Sequence, residues 1–305
     1  MFLHRQTSAD VSNVASFQLP DPAGRAGGAC TSALLNALYA EKNAPSKDLT
    51  WVETLEGMRK MLRAKGYEQI PQLTSSRMVD VNQNFYIAPP NCTGTRRAVL
   101  IGINYVGQQG QLSGCHNDVN NIKEYIMDVH GFEEKNITVL MDDGKHTSPT
   151  RQNILHAYET LVKSMKRGDA SFCHYSGHGG KLSDTSGDEE DGFDETLVPL
   201  DYVQAGQIKD DDIYNCLVTK VPEGATLTCL MDCCHSGTVL DLPFKFVADG
   251  QSSEMQFDEA FDIAHLINLA GLAEAIFKGD KAAAIDIVKD AAKDAVTGWL
   301  KKKFK

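Results

Sequence analysis

No window of this chain reaches the roughly 18 to 20 consecutive apolar residues that a membrane-spanning helix needs. The N-terminal MFLHRQTSADVSN also lacks an apolar run of signal-peptide length. Neither a membrane span nor a secretory leader is expected, and a cytoplasmic protein is. Positive charge is scarce: 30 Lys and Arg stand against 41 Asp and Glu, a formal net charge of -11. A sequence-independent grip on phosphates would work against that field, so nucleic acid is excluded as the expected partner. The eight cysteines show no paired CxxC spacing, which argues against a zinc ribbon or a dense disulfide framework and for free thiols in a reducing compartment. No G-x-G-x-x-G follows a strand, which makes a dinucleotide-binding fold a poor fit. What is present suffices for a sizeable core, since 42% of the 305 residues are hydrophobic and 23% charged.

From Thr95 onward, short apolar or β-branched runs alternate with longer helical stretches. Residues 96–105 (RRAVLIGINY) read as a buried strand. The next segment carries Val119, Ile122, Tyr125, Ile126 and Val129 at helical spacing and stops at Gly131. Residues 136–143 read as a second strand, TRQNILHAYETLVKSMKRGD as a second helix, and ASFCHYSGHGG as a third strand entering a glycine loop. DDDIYNCLVTKV then reads as a third helix and ATLTCLMDCCHSG as a fourth strand. Such a rhythm implies right-handed crossovers and a mostly parallel sheet. Sites in such sheets form beyond the carboxyl ends of the strands, which brings together the loops at 115–118, 174–180 and 232–237. Before Pro90, helices are expected at 30–40 and 51–65; PPNCTGT is the best linker, and residues after Ala264 carry a helical stripe at Ile285, Val288, Ala292, Val296 and Trp299.

A cysteine and a histidine ending neighbouring strands offer a nucleophile and a proton carrier on rigid elements, and His178 and Cys234 are those two. Gly179 allows a backbone N–H to approach an oxyanion, with the N–H of Cys234 as the second donor. A tight turn and a buried thiol pair would be the bland alternative, but apolar packing does not demand Ser, His, Gly and Asp together at two strand ends. Cys173 and Cys229 lie five residues before His178 and Cys234 respectively. On neighbouring parallel strands, about 4.8 Å apart, they would sit level and facing alike. A disulfide is then geometrically open, and two small buried thiols are the favoured resting state.

HYSGHGG followed about 50 residues later by DCCHSG resembles the catalytic signature of metacaspases, cysteine peptidases of the caspase-like clan. GCHND, GDEEDGFDETLVPLD, IKDDDI and DLPF resemble the same large subunit. QTSAD, GGACTSALLNAL and TWVETLEGMRKMLRAKGYEQIPQLTSS resemble the small subunit, here placed first, as in the type III metacaspases of diatoms and related algae. The resemblance implies a caspase-like α/β fold, a three-layer α/β/α sandwich around a mainly parallel sheet. It also implies a division into residues 1–90 (p10-like small-subunit region), 91–95 (linker), 96–250 (p20-like catalytic region) and 251–305 (C-terminal helical extension), together one caspase-like domain. In the family a strand and a polar loop precede QTSAD; here only MFLHR does, so the chain begins inside that pattern or one edge strand is lost.

By the same resemblance, Cys115, Asp118, Ser176 and Asp232 surround the S1 pocket, and a carboxylate pair there favours Arg or Lys at P1. Asp118 also fits a cap of the following helix. The acid-rich run through 184–195 and Asp210, Asp211 and Asp212 suits a solvated loop or a hard divalent cation. Resemblance to calcium-activated members places Ca²⁺ on Asp194, Asp210 and Asp211. The expected protein is a monomeric, calcium-activated cysteine endopeptidase acting on proteins or peptides with Arg or Lys at P1. The alternative is a calcium-responsive interaction module that keeps the fold without turnover.

Overall fold

The computed structural model describes residues 2–4, 28–39, 48–67, 70–183, 193–233, 239–240, 242–250 and 252–257. Contacts divide the chain into two compact units, Met1–Ser183 with Asp194–Asp258 and Asp184–Phe193 with Glu259–Lys305, and the architecture below is that of the first. In chain order the elements are β1 (Phe2–His4), α1 (Ala29–Leu38), α2 (Trp51–Ala64), β2 (Ile70–Ser75), β3 (Arg96–Gly102), α3 (Cys115–His130), β4 (Ile137–Met141) and α4 (Arg151–Ser164). There follow β5 (Ala170–Ser176), β6 (Gly179–Ser183), β7 (Phe193–Leu197), α5 (Tyr202–Ala205), β8 (Ile208–Lys209), α6 (Asp210–Ile213), β9 (Thr226–Asp232), β10 (Phe244–Val247) and β11 (Gln256–Phe257).

Eight strands form the main sheet in the order β11-β10-β2-β1-β9-β5-β3-β4, and β6, β7 and β8 form a smaller one. From β1 through β9, β5 and β3 to β4 every pairing is parallel. The three strands beyond β1 pair antiparallel. All seven residues of β5 are buried, as expected of a central parallel strand covered on both faces. Alternation along the strands sorts the core into two layers. Ala98, Leu100, Phe172 and Leu230 face α1, α2 and α3. Val99, Ile101, Cys173, Tyr175, Cys229 and Met231 face α4 on the other side. The mostly parallel sheet follows the sequence pattern, and its α/β/α layering is what the family resemblance implied.

Two local features position the site. Leu34, Leu35 and Leu38 of α1 are buried, which contributes at most roughly 4.5–9 kcal/mol and fixes the start of that helix against β5 and β9. Helix α3 ends at Gly131, whose left-handed φ of 63° closes the last turn.

Three expectations are modified. Ahead of QTSAD, Phe2–His4 form β1, an inner strand rather than an edge: Phe2 pairs with Met231 while Phe2–His4 pair with β2. The third helix is short: α6 passes at Tyr214 into the wider π turn Tyr214–Val218. The C-terminal extension contains a strand, β11, whose Phe257 packs edge-on against Phe244 at 5.9 Å; its helical stripe at 285–299 lies outside the described residues.

Candidate active site

The carboxyl ends of β3, β5 and β9 meet at one edge of the sheet. Gly102 is the register partner of Ser176, and Ser176 that of Asp232. His178 follows Ser176 by two residues, and Cys234 follows Asp232 by two. Cys234 itself, and with it the second oxyanion donor, lies outside the described residues. Gly179, the other expected donor, opens β6 directly after His178.

His178 is half-buried and held on three sides. Its Nε2 lies 2.5 Å from the carbonyl oxygen of Gly110; a carbonyl only accepts, so Nε2 carries the proton and Nδ1 of the neutral ring keeps its lone pair. Its backbone N–H donates to the Tyr105 hydroxyl at 3.0 Å, and its carbonyl accepts from the Tyr175 hydroxyl at 2.9 Å. The Tyr105 ring lies against the imidazole with centroids 4.6 Å apart. Gly110, with φ 80°, occupies a conformation that side chains rarely adopt, and an added Cβ would stand 3.3 Å from the His178 Nε2.

Beside this lies a pair of carboxylates. Asp118 is fully buried on α3. It accepts from Ser176 Oγ at 2.6 Å and from the N–H of Gly28 at 2.7 and 2.8 Å. Half-buried Asp232, at the end of β9, accepts from the N–H groups of Cys30 and Thr31 at 3.1 and 2.8 Å. The first turn of α1 therefore points its unsatisfied N–H groups at both acids, where the helix dipole also favours negative charge. Burial still pushes the Asp118 carboxyl well above the usual range, helped by the charge of Asp232, and burial raises Asp232 as well. Buried Cys115 adjoins the pair, its thiol driven up by burial and by Asp118, and its N–H bonds to Asn104 Oδ1. All four residues expected around S1 are thus neighbours. The capping alternative for Asp118 does not hold, because the N-cap of α3 is Gly114.

The acidic cluster is only partly in view, since residues 184–192 lie outside the described ones. Asp194 and Asp210 are buried, each 1% exposed. Asp194 pairs with Lys209 at 2.5 Å, and Glu195 with Lys181 at 3.1 Å. Asp210 accepts from the N–H groups of Glu195 and Asp211. Burial, opposed by these bonds but aided by the charges of Glu195 and Asp194, pushes its carboxyl up to about 7. Hard oxygen donors of this kind suit calcium chemistry. Among the described residues, however, no three acidic, histidine or cysteine side chains converge as a finished metal site.

Cys173 and Cys229 are direct register partners on β5 and β9, and both are buried free thiols. Burial and the neighbouring Cys229 thiol drive the Cys173 thiol well up. Tyr105, Gly110, Asp142 and the α1 N-terminus escaped the sequence reading; the one local signal was the glycine-rich loop VGQQG after the first strand.

Residues 96–243 match the family described as "Metacaspase, peptidase C14 domain". "Metacaspase III c" of the diatom Phaeodactylum tricornutum is 59% identical over 269 residues, covering 88% of this chain and 80% of the relative. The chain belongs to the metacaspase family. It carries the peptidase domain of a caspase-like cysteine peptidase, and its small-subunit-like region comes first, the type III order. Fungal relatives match over less: "Metacaspase-1" of Sclerotinia sclerotiorum is 47% identical across 56% of this chain and 40% of its own, and that of Schizosaccharomyces pombe 40% across 75% and 54%. The chain thus spans about half the length of those fungal metacaspases. A solved structure from Geobacter sulfurreducens overlaps 48% of this chain and 53% of its own at 32% identity, with a TM-score of 0.39. In this metacaspase the swapped order does not divide the fold, because β1 and β2 join the same sheet as β3, β5 and β9.

Proposed function

We propose that this metacaspase is a calcium-activated endopeptidase that cleaves after Arg or Lys through Cys234 and His178. The observation that carries the reading is the β5–β9 register, with Ser176 opposite Asp232; His178 and Cys234 follow these two residues at equal offsets in the sequence. The Cys234 thiolate attacks the scissile carbonyl carbon, a C–S bond forms, and the carbonyl electron pair moves to oxygen. The N–H groups of Gly179 and Cys234 receive that oxyanion. Protonated His178 then delivers a proton to the departing amide nitrogen as the C–N bond breaks. Water, deprotonated by His178, hydrolyses the thioester and frees the thiol. A hydrogen bond to a carbonyl at Nε2 supports Nδ1 as the nitrogen that exchanges this proton.

For specificity, Asp232 is the acid with surface left for a P1 guanidinium or ammonium, while fully buried Asp118 holds the pocket's charge from beneath. Asp194, Asp210 and Asp211 would hold calcium, whose double positive charge would balance these acids; Lys209 would then give way from Asp194. The test compares matched reporters ending in Arg, Lys or Asp, with Ca²⁺ or chelator, beside Cys234→Ala. Calcium-dependent Arg and Lys cleavage absent from the variant is the expected result. Asp cleavage overturns the pocket reading, and calcium binding without turnover in the parent favours a non-catalytic module.

A further inference from the structure

We propose that Tyr105, held in a left-handed backbone conformation by Asp142, is the positioning residue that sets the His178 imidazole for catalysis. This rests on the reading of His178 as the proton carrier for Cys234. A buried tyrosine with a satisfied hydroxyl is ordinary core, and three observations go beyond that.

First, Tyr105 has φ 52°, alone among the described non-glycine residues in lying at positive φ. Left-handed backbone is tolerated by Asn, Asp or Gly far better than by an aromatic residue, and it persists only where the surroundings over-determine it. Second, the compensation is visible. Asp142, at the end of β4, accepts from the N–H of Asn104 at 2.8 Å and from that of Val106 at 3.2 Å, bracketing Tyr105 on both sides. The His116 ring lies 2.6 Å from the same carboxylate. Burial works against the Asp142 charge, yet these hydrogen bonds hold its carboxyl below the usual range. Third, the unusual conformation has one evident product. It carries the hydroxyl of Tyr105, a residue 1% exposed, to a point where it donates to the Val198 carbonyl at 2.6 Å and accepts from the His178 N–H at 3.0 Å. The same ring backs the imidazole.

The His178 backbone is thereby tied to the end of β7, where the Val198 N–H returns to the His178 carbonyl at 3.2 Å. Removing the Tyr105 hydroxyl frees the His178 N–H and lets the ring drift from its line to the Gly110 carbonyl. Substrate contacts are untouched, so the loss falls on turnover.

The test measures kcat and KM on the Arg reporter for the parent, Tyr105→Phe, Asp142→Asn and, as a control for loss of a core hydroxyl, Tyr158→Phe, whose hydroxyl is buried without a partner. In parallel, ¹⁵N-histidine NMR follows the His178 ring among the nine histidines, assigned by its absence in His178→Ala. Tyr105→Phe is expected to lower kcat about tenfold with KM within twofold, as a misoriented catalytic group does. Its His178 ring signal should move from a fixed Nε2–H tautomer toward an average. Asp142→Asn should act in the same direction, and Tyr158→Phe should match the parent. A folded Tyr105→Phe with kcat within twofold, or with an unchanged His178 signal, overturns the proposal. Should the parent turn over no Arg reporter, or His178→Ala turn it over as fast as the parent, the peptidase reading falls and the NMR signal alone decides the positioning claim.

Discussion

Gly28 donates its single backbone N–H to both carboxylate oxygens of Asp118, at 2.7 and 2.8 Å. A Cβ at Gly28 would stand 2.4 Å from Asp232 Oδ2 and 2.7 Å from Asp118 Oδ2. The backbone there is extended, φ -65° and ψ 161°, which alanine adopts freely. Any effect of Gly28→Ala is therefore steric. Displacing the start of α1 should cost roughly 1–3 kcal/mol, read as a lower urea midpoint with an unchanged slope. The same variant should raise KM for Arg reporters, because both acids lose their common anchor. Unaltered stability and KM would show that α1 does not grip the pair.

The two acids should respond differently to loss of charge. Asp232→Asn removes the half-buried member, and the proposed P1 ion pair should weaken by at least about 2 kcal/mol, roughly a thirtyfold fall in kcat/KM on Arg substrates. Its side-chain NH₂ replaces one of the two oxygens that accept from the N–H groups of Cys30 and Thr31, so some stability is lost too. Asp118→Asn sits deeper and should act more on stability, through the Gly28 N–H and the Ser176 hydroxyl. Steady-state kinetics beside thermal melts separate the two. Equal kinetic losses without a stability difference would contradict this division.

Which parts were legible follows from how local their causes are. Strands β3, β5 and β9 are continuous apolar runs ending in polar loops, and α3 and α4 carry complete helical stripes, so each announces itself within its own residues. The convergence of Asp118, Ser176 and Asp232 followed from the parallel sheet alone. By contrast, β1 is three residues long and exists because β2 and β9 flank it. The α1 contacts with Asp118 and Asp232 span separations of 90 and more than 200 residues, and no periodicity encodes them. Tyr105 looks like the apolar end of a strand; its role arises from Asp142, Val198 and His178, each delivered by a different element.

The Cys173–Cys229 register makes an oxidation test direct. Both thiols are buried, so neither should react quickly with a bulky alkylating agent in the folded protein. A small oxidant should instead join them, altering peptidase activity in the parent but in neither Cys173→Ala nor Cys229→Ala. Mass spectrometry of unreduced peptides reports the bond itself. Identical redox responses in all three proteins would place any sensitivity outside this pair.

His174 links the sheet to the acid pair and should make stability fall with acid. It is fully buried on β5, with Nε2 3.0 Å from the hydroxyl of Thr31, whose N–H lies on Asp232. Burial alone pushes its pKa down from 6.5 to about 3, so the folded state keeps the ring neutral at pH values where the unfolded chain protonates it. The unfolded state then binds more protons, and stability rises with pH. It is fully present above about pH 6.5 and declines on acidification toward pH 3 by about 1.4 kcal/mol per unit. Between pH 7.5 and 5.0 the His174 contribution lost is about 2 kcal/mol. The raised carboxyls Asp118 and Asp232 titrate with the opposite sign, binding protons more readily when folded, so a single profile mixes the two. Comparison with His174→Gln isolates the histidine, since the acids are common to both proteins. Urea unfolding at the two pH values should show the variant losing about 2 kcal/mol less than the parent on acidification. Equal losses would mean that His174 already carries its proton in the folded state, and that the Thr31 contact survives it.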